Sequence, residues 1–340
     1  MIVRHLSVCK GGQILGRWSK SWKTVPLQGN QTRRNCSSLD QTRNEERKYE
    51  EVRIPVPWGH IAGKKWGEPE EIPVIAIHGW RDNAGTFDTL APLLKFNFLA
   101  IDLPGHGLSS HIPIGVNAHY PDTIVALRQI VKHYGFNKIS ILGHSLGSSI
   151  GYAYAGLYPE AVHKYVSIEC GRARILSHPK DLADDWGETI DSLLNVEKKL
   201  IQQQPPEFTY SELVERQQKG AFMSPSIKST NILLKRGSRL STTNPEKFVF
   251  TYDPRIRLDS FKRFTPDMLM AIGKQIKCHV LNIHADPGMQ VKLEKEYEES
   301  VEILKESTSR LECEVVQGSH HVHLNNPERV APLINNFMLS

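Results

Sequence analysis

The stretch from Ile139 to Ala153 constrains this chain more than any other. An apolar run, Ile139-Ser140-Ile141-Leu142, leads into Gly143-His144-Ser145-Leu146-Gly147, and small residues follow, Ser148-Ser149-Ile150-Gly151-Tyr152-Ala153. That order reads as strand, very tight turn, helix. The residue at the apex of such a turn holds an unfavourable backbone conformation, with its side chain pointing away from the sheet. Side chains in place of the two glycines would collide with strand and helix. Gly-x-Ser-x-Gly also occurs in ordinary loops, so its meaning depends on what surrounds it.

What surrounds it is an alternation of apolar strands and amphipathic helices. Val52 to Trp66 reads as a hairpin punctuated by Pro55, Pro57 and Gly63. Strands are expected near 72–78, 97–102, 138–142, 164–169, 279–284 and 313–317. Helices are expected over Phe87–Leu94, Ile124–Tyr134, Leu146–Leu157, Val291–Lys305 and about 328–338. This predicts an α/β fold with a mostly parallel central sheet covered by helices on both faces. The rhythm breaks between Gly171 and Lys277, where 18 basic residues face 13 acidic ones, against 5 and 10 in residues 278–340. Residues 171–277 are read as a largely helical insert in a core made of 49–170 and 278–340. Its positive charge is either an ordinary solvated surface or a mouth that attracts an anionic substrate.

Composition excludes several classes. Net charge is +5, but residues 1–39 hold seven Lys/Arg and no Asp or Glu, while the rest of the chain holds 35 basic and 37 acidic residues. The basic character therefore belongs to a tail, residues 1–48, and not to a nucleic-acid face. The tail is expected to be a disordered extension or a mitochondrial transit peptide; it lacks the apolar core of a secretory signal. Its sequons at Asn30 and Asn35 carry little weight without such a signal. No run reaches the roughly 18 apolar residues of a membrane span. Cys9, Cys36, Cys170, Cys278 and Cys313 are odd in number and match no zinc spacing, which suggests reduced, buried thiols in an intracellular protein, mitochondrial or cytoplasmic. The C-terminal Met338-Leu339-Ser340 is not a peroxisomal signal.

Chemistry-bearing residues recur in a fixed order. An apolar strand ends in His78-Gly79-Trp80, a second in Asp102-Leu103-Pro104-Gly105-His106-Gly107, a third in His284-Ala285-Asp286, and a late one leads to Gly318-Ser319-His320-His321-Val322-His323. A serine hydroxyl is a poor nucleophile until a neighbouring base removes its proton, so Ser145 as nucleophile calls for a histidine and an orienting acid. Serine, then aspartate, then histidine is the chain order of α/β-hydrolase triads.

With these residues in view, the sequence resembles the α/β-hydrolases, and within them the serine hydrolase-like proteins, insect members included. The resemblance is carried by Val56-Pro57-Trp58-Gly59-His60-Ile61-Ala62, by His78-Gly79-Trp80-Arg81-Asp82-Asn83-Ala84, by Asp102 to Ser110, by the Ser145 turn and by the His320 segment. It spans roughly residues 50 to 340 and is thin in the middle. It implies that the 171–277 insert is a cap over the site, and that the histidine nearest the glycine, His320, is the base. His321 and His323, with Asn325-Asn326-Pro327, would help to start the last helix. It also places the acid after the strand ending at Ala285. Asp286 is the candidate there, although it sits closer to that residue than is usual, and Asp286-Pro287-Gly288 is also a plain turn pattern. Glu169, at the end of Val166-Ser167-Ile168, is the alternative acid. Backbone N–H groups of Leu146 and Trp80 would form an oxyanion hole. Trp80 and His144 would line the substrate pocket, unless His144 merely packs on a loop. His106 reads as structural and Asp102 as an anchor of its turn.

The resulting expectation is a cofactor-free, metal-free serine hydrolase acting on a small-molecule ester or thioester through an acyl-enzyme. The alternatives are a non-catalytic ligand- or partner-binding protein of the same fold, and an amide or carbon–carbon hydrolase with the same triad. An aspartate nucleophile, a His-Glu-x-x-His metal motif, a phosphate loop and a dinucleotide fingerprint are all missing from the sequence.

Overall fold

The computed structural model describes residues 47–116, 119–170, 179–258, 264–289 and 294–340. The basic tail, with Cys9, Cys36 and both sequons, lies outside them apart from its last two residues. β1 (Glu50–Val56) and β2 (Gly59–Trp66) form the expected hairpin. The first half of the core continues through β3 (Val74–Ile77), β4 (Phe98–Ile101), α1 (Tyr120–His133), β5 (Ile139–His144), α2 (Leu146–Leu157) and β6 (Val162–Ile168). Between β6 and the next core strand lie α3 (Pro179–Gln202), α4 (Tyr210–Gly220), α5 (Ile227–Gly237), a short ribbon of β7 (Ser238–Leu240) and β8 (Phe248–Phe250), the stretch read above as an insert, and α6 (Pro266–Gly273), whose Leu269 and Ile272 join the core. The core then closes with β9 (His279–Pro287), α7 (Glu294–Ser307), β10 (Leu311–Gly318), α8 (Val322–Asn325) and α9 (Ala331–Leu339).

Eight strands form one sheet in the order β1-β2-β4-β3-β5-β6-β9-β10. β2 runs antiparallel to both β1 and β4, and every other neighbouring pair is parallel. Strands β3 and β4 are buried at every position, which is why they read as unbroken apolar runs. Two apolar clusters cover the two faces. One packs α1 and α2 through Leu127, Ile130, Ile150 and Tyr152; the other packs Phe87, Leu90 and α9 through Ile334 and Phe337.

Two local expectations are corrected. Phe87–Leu94 is not a helix but part of two 3-10 turns, Ala84–Phe87 and Ala91–Leu93. Asn83 caps the first through its side chain, and Pro92 in the second cannot donate to a helical ladder. The last helix starts at Ala331, after a separate turn at Pro327–Arg329.

The insert is tied to the core by buried charge. Arg236 donates from Nε to Asp102 Oδ2 at 2.7 Å and forms an ion pair with Glu51. Arg255 donates to Pro113 O at 3.1 Å and Val116 O at 3.3 Å of the core, and is neutralised within the insert by Asp253 at 2.7 Å and Glu197 at 3.1 Å. Part of the insert's positive charge is therefore spent inside the molecule, paired with carboxylates, and faces no solvent. Among the described residues Cys278 is buried, Cys170 is half-buried and Cys313 is exposed, so burial of all the thiols does not hold; none of the three is in a disulfide. Burial pushes the Cys278 thiol up to about 12. No helix among the described residues is long and apolar enough to cross a membrane.

Candidate active site

Ser145 sits at the junction of β5 and α2 with φ 51° and ψ −113°, the strained apex expected from its neighbours. Its backbone N–H donates to Ile168 O at 2.9 Å, and the Ser148 hydroxyl donates to Gly143 O at 2.7 Å, so the turn is pinned across its own loop and to β6. Both glycines are sterically required. A Cβ at Gly147 would lie 2.0 Å from Ile77 O, and one at Gly143 would lie 2.5 Å from Ser148 N.

His320 follows β10 and is 8% exposed. Its carbonyl accepts from His144 Nε2 at 2.9 Å, which lays the histidine loop against the residue preceding Ser145. Its Nδ1 donates to Glu169 Oε2 at 2.9 Å. Glu169 stands at the end of β6 in a left-handed conformation, φ 64°. Its carboxylate also accepts from Ala285 N at 2.6 Å and Met289 N at 3.0 Å. Gly288 makes that cradle possible, since a Cβ there would lie 2.3 Å from Ala285 O and 2.8 Å from Glu169 Oε1. Burial pushes the Glu169 carboxyl up, but the His320 hydrogen bond and the backbone donors outweigh it and hold the group below its ordinary value. Burial lowers the His320 imidazole, against the opposing pull of Glu169.

Asp286 does not meet His320. It is exposed and accepts from Gln317 Nε2 at 2.9 Å, its cross-strand neighbour on β10. The β9 strand runs on through Pro287, so Asp286 stays in the ladder and never turns toward the histidine. The acid brought to His320 comes instead from the neighbouring strand β6.

Leu146 is the first residue of α2, where a backbone N–H has no partner one turn earlier. Trp80 follows Gly79 in a tight turn closed by Asp82 N donating to Gly79 O at 3.1 Å. The Trp80 indole donates to Ile256 O of the insert at 2.7 Å, and the ring is 37% exposed. His144 is 1% exposed and lines no open pocket; it packs on the histidine loop. His321 and His323 do more than start a helix. His321 Nε2 is 3.1 Å from Asp82 Oδ2, and His323 Nε2 is 2.8 Å from Thr86 Oγ1. No spacing in the sequence points to Asp82 as a site residue, because its partners lie at 144 and 321.

Asp102 anchors its turn, accepting from Ala84 N and Leu108 N, both at 2.8 Å. His106 is 4% exposed, with Nδ1 donating to Pro104 O at 3.0 Å and Nε2 buried without a partner. Burial lowers its ring from the ordinary 6.5 to about 3. A base whose folded value is depressed costs the fold nothing above its unfolded value. As pH falls from 6.5 toward about 3, the unfolded chain takes up the proton first, and stability drops by up to about 1.4 kcal/mol per pH unit. Denaturation midpoints measured across that range should fall less steeply in His106→Gln. An unchanged slope would show that this ring contributes nothing to acid sensitivity.

Comparison with known proteins agrees with this fold. Residues 72–208 match the alpha/beta hydrolase fold family. The chain is 37% identical to a probable serine hydrolase of Drosophila melanogaster, over 86% of this chain and 88% of that protein. It is 35% identical to a serine hydrolase-like protein of Danio rerio, over 85% and 88%. A hypothetical protein of Pseudomonas aeruginosa, known from its crystal structure, superposes with a TM-score of 0.74 at 26% identity, over 85% of this chain and 98% of that one. With the strained serine turn, the mostly parallel sheet and relatives that match most of its length, the chain belongs to the serine hydrolase-like proteins of the α/β-hydrolase fold.

Proposed function

We propose that the protein is a serine hydrolase that cleaves carboxylic ester or thioester bonds through an acyl-enzyme, with Ser145, His320 and Glu169 as its triad. The observation that carries this reading is the 2.9 Å contact from His320 Nδ1 to Glu169 Oε2, in a histidine loop bonded to the serine turn. A carboxylate on Nδ1 keeps the proton there, leaves Nε2 as the base and stabilises the imidazolium once Ser145 gives up its proton. Ser145 Oγ attacks the carbonyl carbon. The oxyanion that forms is held by the N–H groups of Leu146 and Trp80, with the N-terminal dipole of α2 behind the first. His320 then passes the proton to the departing alcohol or thiol, and water repeats the sequence to release the acid. The insert acts as the cap, and its Ile256 carbonyl braces Trp80.

The test is labelling with a fluorophosphonate probe, which reacts with an activated serine. The wild-type protein should label and Ser145→Ala should not. Absence of labelling in both would favour a non-catalytic member of the fold.

A further inference from the structure

We propose that Asp82, His144 and His321 form a buried structural site for a divalent transition-metal ion, Zn2+ being the best match, directly behind the serine turn. One ligand atom from each residue lies within 4.8 Å of the others. Asp82 Oδ2 is 3.1 Å from His321 Nε2 and 3.6 Å from His144 Nδ1, close to the roughly 3.3 Å edge of a tetrahedral zinc site with bonds near 2.0–2.1 Å. The rings need to close somewhat on the ion to complete it. All three side chains are at most 5% exposed.

The hydrogen bonds around the cluster leave electron pairs aimed inward. His144 Nε2 donates to His320 O at 2.9 Å, so Nδ1 is the nitrogen left for an ion. It is buried and has no hydrogen-bond partner, as is Asp82 Oδ1. His321 Nε2, which donates to Asp82 Oδ2 at 3.1 Å, is the second inward nitrogen; an ion would displace that proton, and Nδ1, 2.8 Å from the Ser224 hydroxyl, would then carry it. Imidazoles that bind metal through one nitrogen usually donate from the other to a carbonyl or a similar acceptor, and each ring has one beside it, His320 O for His144 and the Ser224 hydroxyl for His321. Two imidazoles and a carboxylate suit zinc and its late first-row neighbours, and a tetrahedral ion there would take a water as its fourth ligand. Such an ion would join three loops: the one after β3 that carries Trp80, the serine turn, and the histidine loop. The competing occupant is the proton that His321 Nε2 donates to Asp82 Oδ2.

The experiment uses the full chain, stripped with a chelator and reloaded with Co2+ or Zn2+ alone. The wild type should retain about one ion per chain, show the intense visible absorption of tetrahedral cobalt without a thiolate band, and melt at a higher temperature when loaded. Asp82→Asn and His321→Gln should each weaken Zn2+ binding by at least about 100-fold. A wild type that retains no ion, or variants that bind as well as the wild type, would leave only the proton and overturn the proposal. Should a variant fail to fold, the cobalt spectrum of the wild type decides alone, because octahedral or thiolate coordination also overturns it.

Discussion

Glu169→Gln should lower kcat for a short-chain p-nitrophenyl ester by about 10⁴-fold, while Asp286→Asn stays within about twofold of the wild type. The glutamine amide presents N–H where His320 Nδ1 needs an acceptor. The ring then turns over to the tautomer with its proton on Nε2, the nitrogen that must be free to act as base. KM should move little, since Glu169 is buried under the histidine and contacts no substrate. Asp286 has only Gln317 to lose, at an exposed position. A large loss in Asp286→Asn, or none in Glu169→Gln, would reverse the assignment of the acid.

Gly147→Val should prevent folding outright. Its Cβ would fall 2.0 Å from Ile77 O, 2.5 Å from Ile77 C and 2.8 Å from His78 O. These are backbone atoms of a central strand and the turn after it, so no rotamer change relieves the clash. The expected destabilisation exceeds about 4 kcal/mol, a large share of the roughly 5–15 kcal/mol that holds a typical domain together. Gly135 is the comparison. Its φ of 67° is left-handed, yet a Cβ there meets nothing within 4 Å, so Gly135→Ala should cost only about 1–2 kcal/mol of backbone strain. Denaturant midpoints of the soluble fractions check both. A soluble, cooperatively folding Gly147→Val would mean that β3 and α2 are not packed this closely.

The contrast between Ser145 and Glu169 marks how far reading along the chain can go. The Ser145 turn is a local object: an apolar strand, two glycines and a run of small residues force it within 15 positions, so order along the chain carries the whole argument. The acid is not local. Asp286 and Glu169 each follow an apolar strand, and choosing between them requires knowing that β6 lies beside β9 and that Gly288 lets the second loop wrap the first one's carboxylate. Neither fact is encoded in spacing. The role of Asp82 is non-local in the same way, with partners at 144 and 321. The Phe87–Leu94 segment failed differently: its apolar residues have helical spacing, but Asn83 capping and Pro92 favour two tighter turns.

Sequence alone therefore determined the sheet-and-helix alternation, the strained serine turn and the histidine that follows the last strand, because steric and periodic rules act between near neighbours. Tertiary structure alone decided which carboxylate reaches His320, that His144 turns inward against the histidine loop, and that Asp82, His144 and His321 converge. Those outcomes depend on strand order and on loops brought together from positions 82, 144, 169 and 321, and a one-dimensional pattern holds no distance between them.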